Sequence, residues 1–199
     1  MKAYVVFCHP THESLTGAAL ERTLRGLTSG GHEIRLTDLY AEGFRPEFSR
    51  ADREAHLVDH TVDPSSRPEI VEFADNLRWC DTLVLVYPTW WAGQPAMLKG
   101  WFDRVLVRGV AWDLPPGTNR IRAGLKNVRT IVAVTSHGSS KLVNTIEGES
   151  GKHLLGRSLR ATCGLRCRTK WFALYNVDRS TPEDREQFLD SVERRAARL

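Results

Sequence analysis

The chain of 199 residues has no apolar run approaching the roughly 18 residues a membrane helix needs; its longest apolar stretches are of strand length. No basic-then-apolar signal segment opens it, so a cytoplasmic location is expected. It has only four cysteines, Cys8, Cys80, Cys163 and Cys167, with no C-x-x-C pair, and only His153 stands within ten residues of the closest two. That spacing indicates neither a disulfide framework nor a zinc site, and no metal is expected; the functional alternative for the thiols is a redox-active or nucleophilic role. The four read as small core residues, Cys8 most clearly, at the end of an apolar strand. Neither G-x-G-x-x-G nor G-x-x-x-x-G-K-S/T occurs, which disfavours a Rossmann dinucleotide site and a P-loop triphosphate site. Internal repeats and low-complexity linkers are also absent.

What is there suffices for one domain, residues 1–199, with a full core, and is too short for two of ordinary size. Charge is uneven. Residues 1–119 carry 12 Lys and Arg against 16 Asp and Glu, whereas residues 120–199 carry 16 against 8. A basic half can signal nucleic acid, but Arg157-Ser-Leu-Arg160 and Arg166-Cys-Arg-Thr-Lys170 lack a helix-turn-helix, RNP or zinc-finger frame. A solvated face, or a docking surface for an anionic nucleotide, fits better, and no nucleic-acid partner is expected.

Periodicity gives an alternating order of strands and helices. Lys2 to Cys8 reads as a first strand, Ser14 to about Leu27 as a helix ended by Gly30-Gly31, and His32 to Leu39 as a second strand. Tyr40 to Arg67 is loop-rich, punctuated by Gly43, Pro46, Pro64 and Pro68, and is expected to cover part of the molecule. Pro68 starts a helix through Ile70, Phe73, Ala74 and Leu77, leading to a strand at Leu83–Val86. A helix from Pro95, a strand over Val128–Val134, a helix over about Gly151–Thr162, a strand over Arg168–Tyr175 and a capped helix from Ser180-Thr-Pro-Glu-Asp complete the order. Five strands alternating with helices predict an α/β fold: a flavodoxin-like, doubly wound, five-stranded parallel sheet in three layers.

In such a sheet ligands sit at the carboxyl ends of the strands, and three strand-end loops carry suitable residues. The first, Cys8-His-Pro-Thr-His-Glu-Ser-Leu-Thr16, feeds a helix N-terminus, where backbone N–H groups and the helix dipole favour phosphate; Ser14 also reads as a plain N-cap. His9 is placed to donate to a phosphate or to sit half-buried and satisfied, and His12 is expected to be exposed. The second, Tyr87-Pro-Thr-Trp-Trp-Ala-Gly-Gln-Pro95, holds Trp90 and Trp91 outside any helical period, where large rings need a ligand or partner to cover them. Trp101, with Met97, Leu98 and Val105, has the spacing of helix core. The third, Thr135-Ser-His-Gly-Ser-Ser140, offers hydroxyls and amides for negative charge on a reduced heterocycle. Phosphate donors, aromatic planes and amides on one edge suit a flavin nucleotide.

These segments resemble the NAD(P)H:quinone oxidoreductase family of flavodoxin-like flavoproteins over most of the chain. Pro88-Thr-Trp-Trp-Ala-Gly-Gln-Pro-Ala-Met-Leu-Lys-Gly-Trp-Phe-Asp103 is the most specific of them. The resemblance implies that His9, Ser14, Leu15 and Thr16 hold the phosphate of FMN or FAD. It further implies that Pro88, Thr89, Trp90, Trp91 and Ala92 line the isoalloxazine, and that Thr135, Ser136, His137 and Gly138 contact its pyrimidine side. It implies NAD(P)H as co-substrate, a quinone-like acceptor, two-electron ping-pong turnover, and a homodimer with the pocket at its interface. Trp112 falls where the family often places an aromatic residue over the substrate pocket, with a structural aromatic as the alternative. His137 replaces a glycine common in the family; it either supplies a proton or positive charge near the reduced flavin or faces solvent. Lys141 to Gly148 holds neither the tyrosine nor the histidine that assists charge relay in better-known quinone reductases. Rival readings are a flavodoxin-type FMN electron carrier, although carriers tend to be acidic; an ancillary subunit of a membrane ion-efflux system, which the resemblance also implies for small members; and a phosphate-binding protein without flavin.

Overall fold

In the computed structural model, which describes residues 1–56, 58–59 and 67–199, the order of elements follows the periodicity closely. Strands β1 (Lys2–Phe7), β2 (Glu33–Asp38) and β3 (Thr82–Pro88) alternate with helices α1 (Leu15–Ser29), α2 (Arg50–Ala55) and α3 (Val71–Trp79). Helix α4 (Ala96–Val105) leads to a short antiparallel pair, β4 (Trp112–Asp113) and β5 (Arg122–Ala123), before β6 (Thr130–Ser136). Then come α5 (Lys141–Ile146), a continuous helical segment made of α6 (Ser150–His153), a π-helical stretch (Leu154–Leu159) and α7 (Arg160–Cys163), strand β7 (Arg168–Leu174) and α8 (Pro182–Ala196).

Five strands form one sheet in the order β2-β1-β3-β6-β7, every pair parallel. Its three central strands are apolar on both faces, which is why they read as continuous apolar runs rather than alternating ones. Ala3, Val5, Phe7, Val84, Val86, Val132 and Val134 face α1 and α8, while Tyr4, Val6, Leu83, Leu85, Tyr87, Ile131 and Ala133 face α3, α4 and the helical segment before β7. The result is a three-layer α/β/α arrangement. Among the described residues no helix is long and apolar enough to cross a membrane.

The stretch between β2 and α3 departs from a pure loop. Ser49 starts α2 with a reciprocal capping box to Asp52, and the buried Asp52 carboxylate pairs with Arg67 at 2.5 Å and with Arg104 of α4 at 3.3 Å. Burial works against this charge, yet hydrogen bonds from Ser49 and the guanidinium groups of Arg67 and Arg104 hold the carboxyl below its ordinary range. The sequence pattern gave no sign of this link, because it joins residues far apart in the chain. Pro64, one of the expected breaks, lies outside the described residues.

Other departures are small. β1, β2 and β7 stop one residue inside their expected limits, β3 extends one residue before and two after its expected span, and β6 is shifted two residues towards the C-terminus; α5, β4 and β5 have no counterpart in the periodicity because none contributes a repeating apolar face. Trp101 is fully buried, against Tyr4 and Phe102, as its spacing required. Trp101→Ala should therefore lower stability by about 3–5 kcal/mol in chemical denaturation. A loss below about 1 kcal/mol would show that the site collapses without a cavity.

Candidate functional site

Because β1, β3 and β6 are parallel and paired Phe7 to Val86 and Val86 to Val134, their carboxyl ends finish level and deliver three loops to one edge. The backbone ladder continues briefly past the strands: Cys8 N–H donates to Val86 O at 2.9 Å, and Thr89 N–H donates to Ser136 O at 2.9 Å. Thr89 and Thr135 also join hydroxyl to hydroxyl at 3.1 Å. The second and third loops are thus bonded side by side. The first meets the second through rings, with His9 and Trp90 centroids 6.2 Å apart.

In the first loop Ser14 caps α1, its Oγ accepting from Gly17 N–H at 3.0 Å. His9 Nδ1 accepts from Thr11 N–H at 3.2 Å and lies 3.2 Å from Ser14 Oγ, so the imidazole organises the turn that presents the helix end. The N–H groups of Leu15 and Thr16, the first two helical residues, have no partner within the helix and point out of its end. His12 is exposed as expected, but bonds Asp38 at 2.7 Å.

The second loop is a tight reverse turn. Trp90 and Gly93 exchange two backbone hydrogen bonds, of 3.0 and 3.1 Å, and the two residues between them, Trp91 and Ala92, both have positive φ, 48° and 57°. This is the signature of a type I′ turn, which Asn-Gly would ordinarily fill. A tryptophan and an alanine held in the left-handed region carry strain on the order of 1–3 kcal/mol each. External anchors hold the turn: Ser150 Oγ donates to Ala92 O, and Gln94 Nε2 donates to Gly151 O at 3.1 Å. The Trp91 ring is fully exposed and Trp90 is 42% exposed. A strained turn displaying two uncovered indoles beside a helix N-terminus is a surface prepared for something flat.

In the third loop Thr135 is buried and Ser136 half-buried, while Gly138 is open. His137 resolves one of its two alternatives: it does not face solvent. The ring is 5% exposed, stacks on Tyr175 at 4.6 Å, and neither nitrogen has a hydrogen-bond partner among the described residues. Burial pushes this imidazole below its ordinary value near 6.5, while the Asn144 side chain and Glu149 pull it upward without prevailing. Tyr175, in turn, donates to Glu149 at 3.1 Å. This His137–Tyr175–Glu149 cluster was missed by sequence reading because its members belong to three separate elements.

Trp112 sits apart from the three loops. Its indole N–H donates to Leu106 O at 3.0 Å, its ring lies 5.8 Å from that of His56, and it packs on the core beneath α3 and α4. All four cysteines are buried and none is disulfide-bonded. No cluster of metal-ligating side chains occurs among the described residues.

The donor set fits a flavin nucleotide: unpartnered helix-end amides and hydroxyls for a phosphate, aromatic rings for a planar heterocycle, and the Thr135–Gly138 loop for its polar edge. Comparison with known proteins settles the family. A model described as "Flavodoxin-like fold" matches residues 1–199. The chain belongs to that family.

Within the family, it is 27% identical to NAD(P)H dehydrogenase [quinone] 1 of Rattus norvegicus, over 98% of this chain and 76% of that protein. It is 25% identical to ribosyldihydronicotinamide dehydrogenase [quinone] of Mus musculus, over 96% and 88%. A solved structure, the NAD(P)H:quinone oxidoreductase from Methanothermobacter marburgensis, superposes with a TM-score of 0.84 at 26% identity, covering 100% of this chain and 98% of that one.

Two outcomes test the site's physics. Ala92→Gly should raise stability by up to about 1 kcal/mol, because glycine occupies the left-handed region without the Cβ clash; a destabilised variant in urea melts would contradict a strained turn. The folded chain disfavours the protonated form of His137, so stability should fall as pH drops from about 6.5 towards 5. Thermal melts of His137→Gln should be flatter across that window, and a parallel pH dependence would refute the assignment.

Proposed function

We propose that this chain is a flavin-dependent NAD(P)H:quinone oxidoreductase, an NAD(P)H dehydrogenase (quinone), acting as a single cytoplasmic domain. The observation that carries the reading is the joining of three chemically distinct loops at one sheet edge through Thr89–Ser136, Thr89–Thr135 and His9–Trp90. The likeness to quinone-linked NAD(P)H dehydrogenases over nearly the whole chain supports it.

A bound flavin, FMN or FAD, would supply two-electron transfer between NAD(P)H and a quinone-like acceptor, in ping-pong order. The residues of this chain bind and orient. Leu15 and Thr16 amides with the Ser14 and Thr16 hydroxyls receive the phosphate at the positive end of α1, and His9 fixes the geometry of that loop. Pro88 to Ala92 provide the face on which the ring lies, the exposed indoles excluding water from it. Amides and hydroxyls of Thr135, Ser136 and Gly138 stabilise negative charge along the opposite edge. His137, buried and stacked on Tyr175, supports the third loop from beneath, and its burial disfavours the charged form that a positive charge beside the ring would need.

The working unit on this reading is a homodimer. Trp91 with Leu142, Val143 and Ile146 of α5 leaves large apolar side chains exposed around the crevice, and a second copy would cover them. Trp112, whose contacts in its own chain are with Leu106, His56 and the core, would then line a substrate pocket from the partner copy.

The test is to purify the protein, identify any released flavin by mass, and follow NADH and NADPH oxidation with a panel of quinones. Trp91→Ala should weaken flavin binding or turnover about tenfold or more with stability nearly unchanged, the reverse of Trp101→Ala. Flavin binding without oxidation of either nucleotide would favour an electron carrier or an ancillary subunit. Absence of affinity for FMN and FAD would end the flavin reading.

A further inference from the structure

At the far end of the sheet from the three loops, two cysteines flank one turn and line the same cavity. Helix α7 ends at Cys163, Gly164 turns the chain at φ 94°, and Cys167 closes the turn with its N–H donating to Gly164 O at 3.2 Å. That φ is hard for any residue but glycine, so Gly164 brings the second sulfur back to the first. Arg160 staples the turn, its Nε donating to Cys167 O at 2.7 Å and its Nη2 to Leu165 O at 3.1 Å.

The two thiols are not equivalent. The proximity of Cys163, with burial opposing and the Arg160 charge assisting, lowers the Cys167 thiol from its ordinary range, while the proximity of Cys167, with burial adding, raises that of Cys163. Cys163 Sγ donates to Leu159 O at 3.5 Å and Cys167 Sγ to Arg168 O at 3.7 Å. Both sulfurs line an open cavity of about 480 Å3 whose other charged walls are Lys126, Arg129, Arg166 and Arg168. Four cations and no carboxylate surround the pair. The remaining thiols differ: Cys8 and Cys80 lie in the apolar core, and burial pushes each up to about 12.

We propose that Cys163 and Cys167 form a redox-active dithiol site that reduces a small hydroperoxide and closes to an intramolecular disulfide. The Cys167 thiolate attacks one oxygen of the peroxide bond. The O–O bond breaks, Cys167 becomes the sulfenic acid, and the departing alkoxide or hydroxide takes up the proton Cys167 had released. Cys163 sulfur then attacks Cys167 sulfur; the S–O bond breaks, and hydroxide leaves as water with the Cys163 proton. Two thiol hydrogens and two electrons pass to the peroxide, giving an alcohol, or water from hydrogen peroxide, plus one further water. The near burial of both residues, Cys163 at 5% and Cys167 at 2% exposed, restricts the site to an oxidant that fits the cavity.

The two roles are separable by mapping. Purified protein is treated with hydrogen peroxide, alkylated under denaturing conditions, digested with trypsin and analysed by mass. Two of the four thiols should be lost, with a disulfide holding peptide Ala161–Arg166 to Cys167–Arg168, restored by dithiothreitol. In Cys163→Ser, dimedone should label Cys167 as the trapped sulfenic acid, and in Cys167→Ser it should leave Cys163 unlabelled. Labelling of Cys163 instead, oxidation falling first on Cys8 or Cys80, cross-linking between chains, or four thiols surviving peroxide would each overturn the proposal. Should a serine variant fail to fold, the peptide map of the unaltered chain decides alone.

Discussion

The pairing of β3 between β1 and β6, all parallel, is the constraint on which the rest of the molecule depends. A parallel sheet must be covered on both faces, which commits α1 and α8 to one side and α3, α4 and the helical segment before β7 to the other. It also commits every strand to point the same way. The three carboxyl ends therefore come out level, and whatever the following loops carry is gathered at one edge. Had any of these strands been antiparallel, its loop would have been delivered to the opposite end, among the basic residues around Cys163 and Cys167.

Within that frame the molecule places strain where it can be held. The turn at Trp91 and Ala92 adopts a backbone conformation that neither residue favours, and it is clamped from two directions, by the ladder bond of Thr89 and by the start of α6 through Ser150 and Gln94. The π-helical stretch that follows α6 runs from these clamps towards the cysteine pair. One helical segment therefore touches the aromatic turn at its beginning and carries Cys163 at its end.

Much of this was legible in the sequence because its signals were local. The apolar runs of β1, β3 and β6, the helix spacing around Trp101 and the polar or aromatic character of each strand-end loop are all read from neighbours within a few residues. What escaped depends on contacts across the chain. Asp52 gives no hint of Arg67 and Arg104, His137 none of Tyr175, and α5 exposes Leu142, Val143 and Ile146 instead of burying a periodic face, so its pattern is not that of a core helix. Thr135 to Gly138 could be placed at the site from strand order alone, whereas the direction in which His137 points required the packing of β7.

Among the described residues the sheet ends on each side in a strand with one unpaired backbone edge, β2 on one flank and β7 on the other. Such edges invite other strands to add on and so to aggregate. Here the two are guarded differently: β2 interleaves Glu33, Arg35 and Asp38 with its apolar positions, and β7 opens with Arg168 and Lys170. Two copies meeting through β7 would bring like charges together, whereas β2 carries both signs and relies on desolvation of charge to discourage contact. The excess of positive charge in the second half of the chain thus guards the β7 flank alone, leaving the strand-end loops free to be covered by whatever binds there.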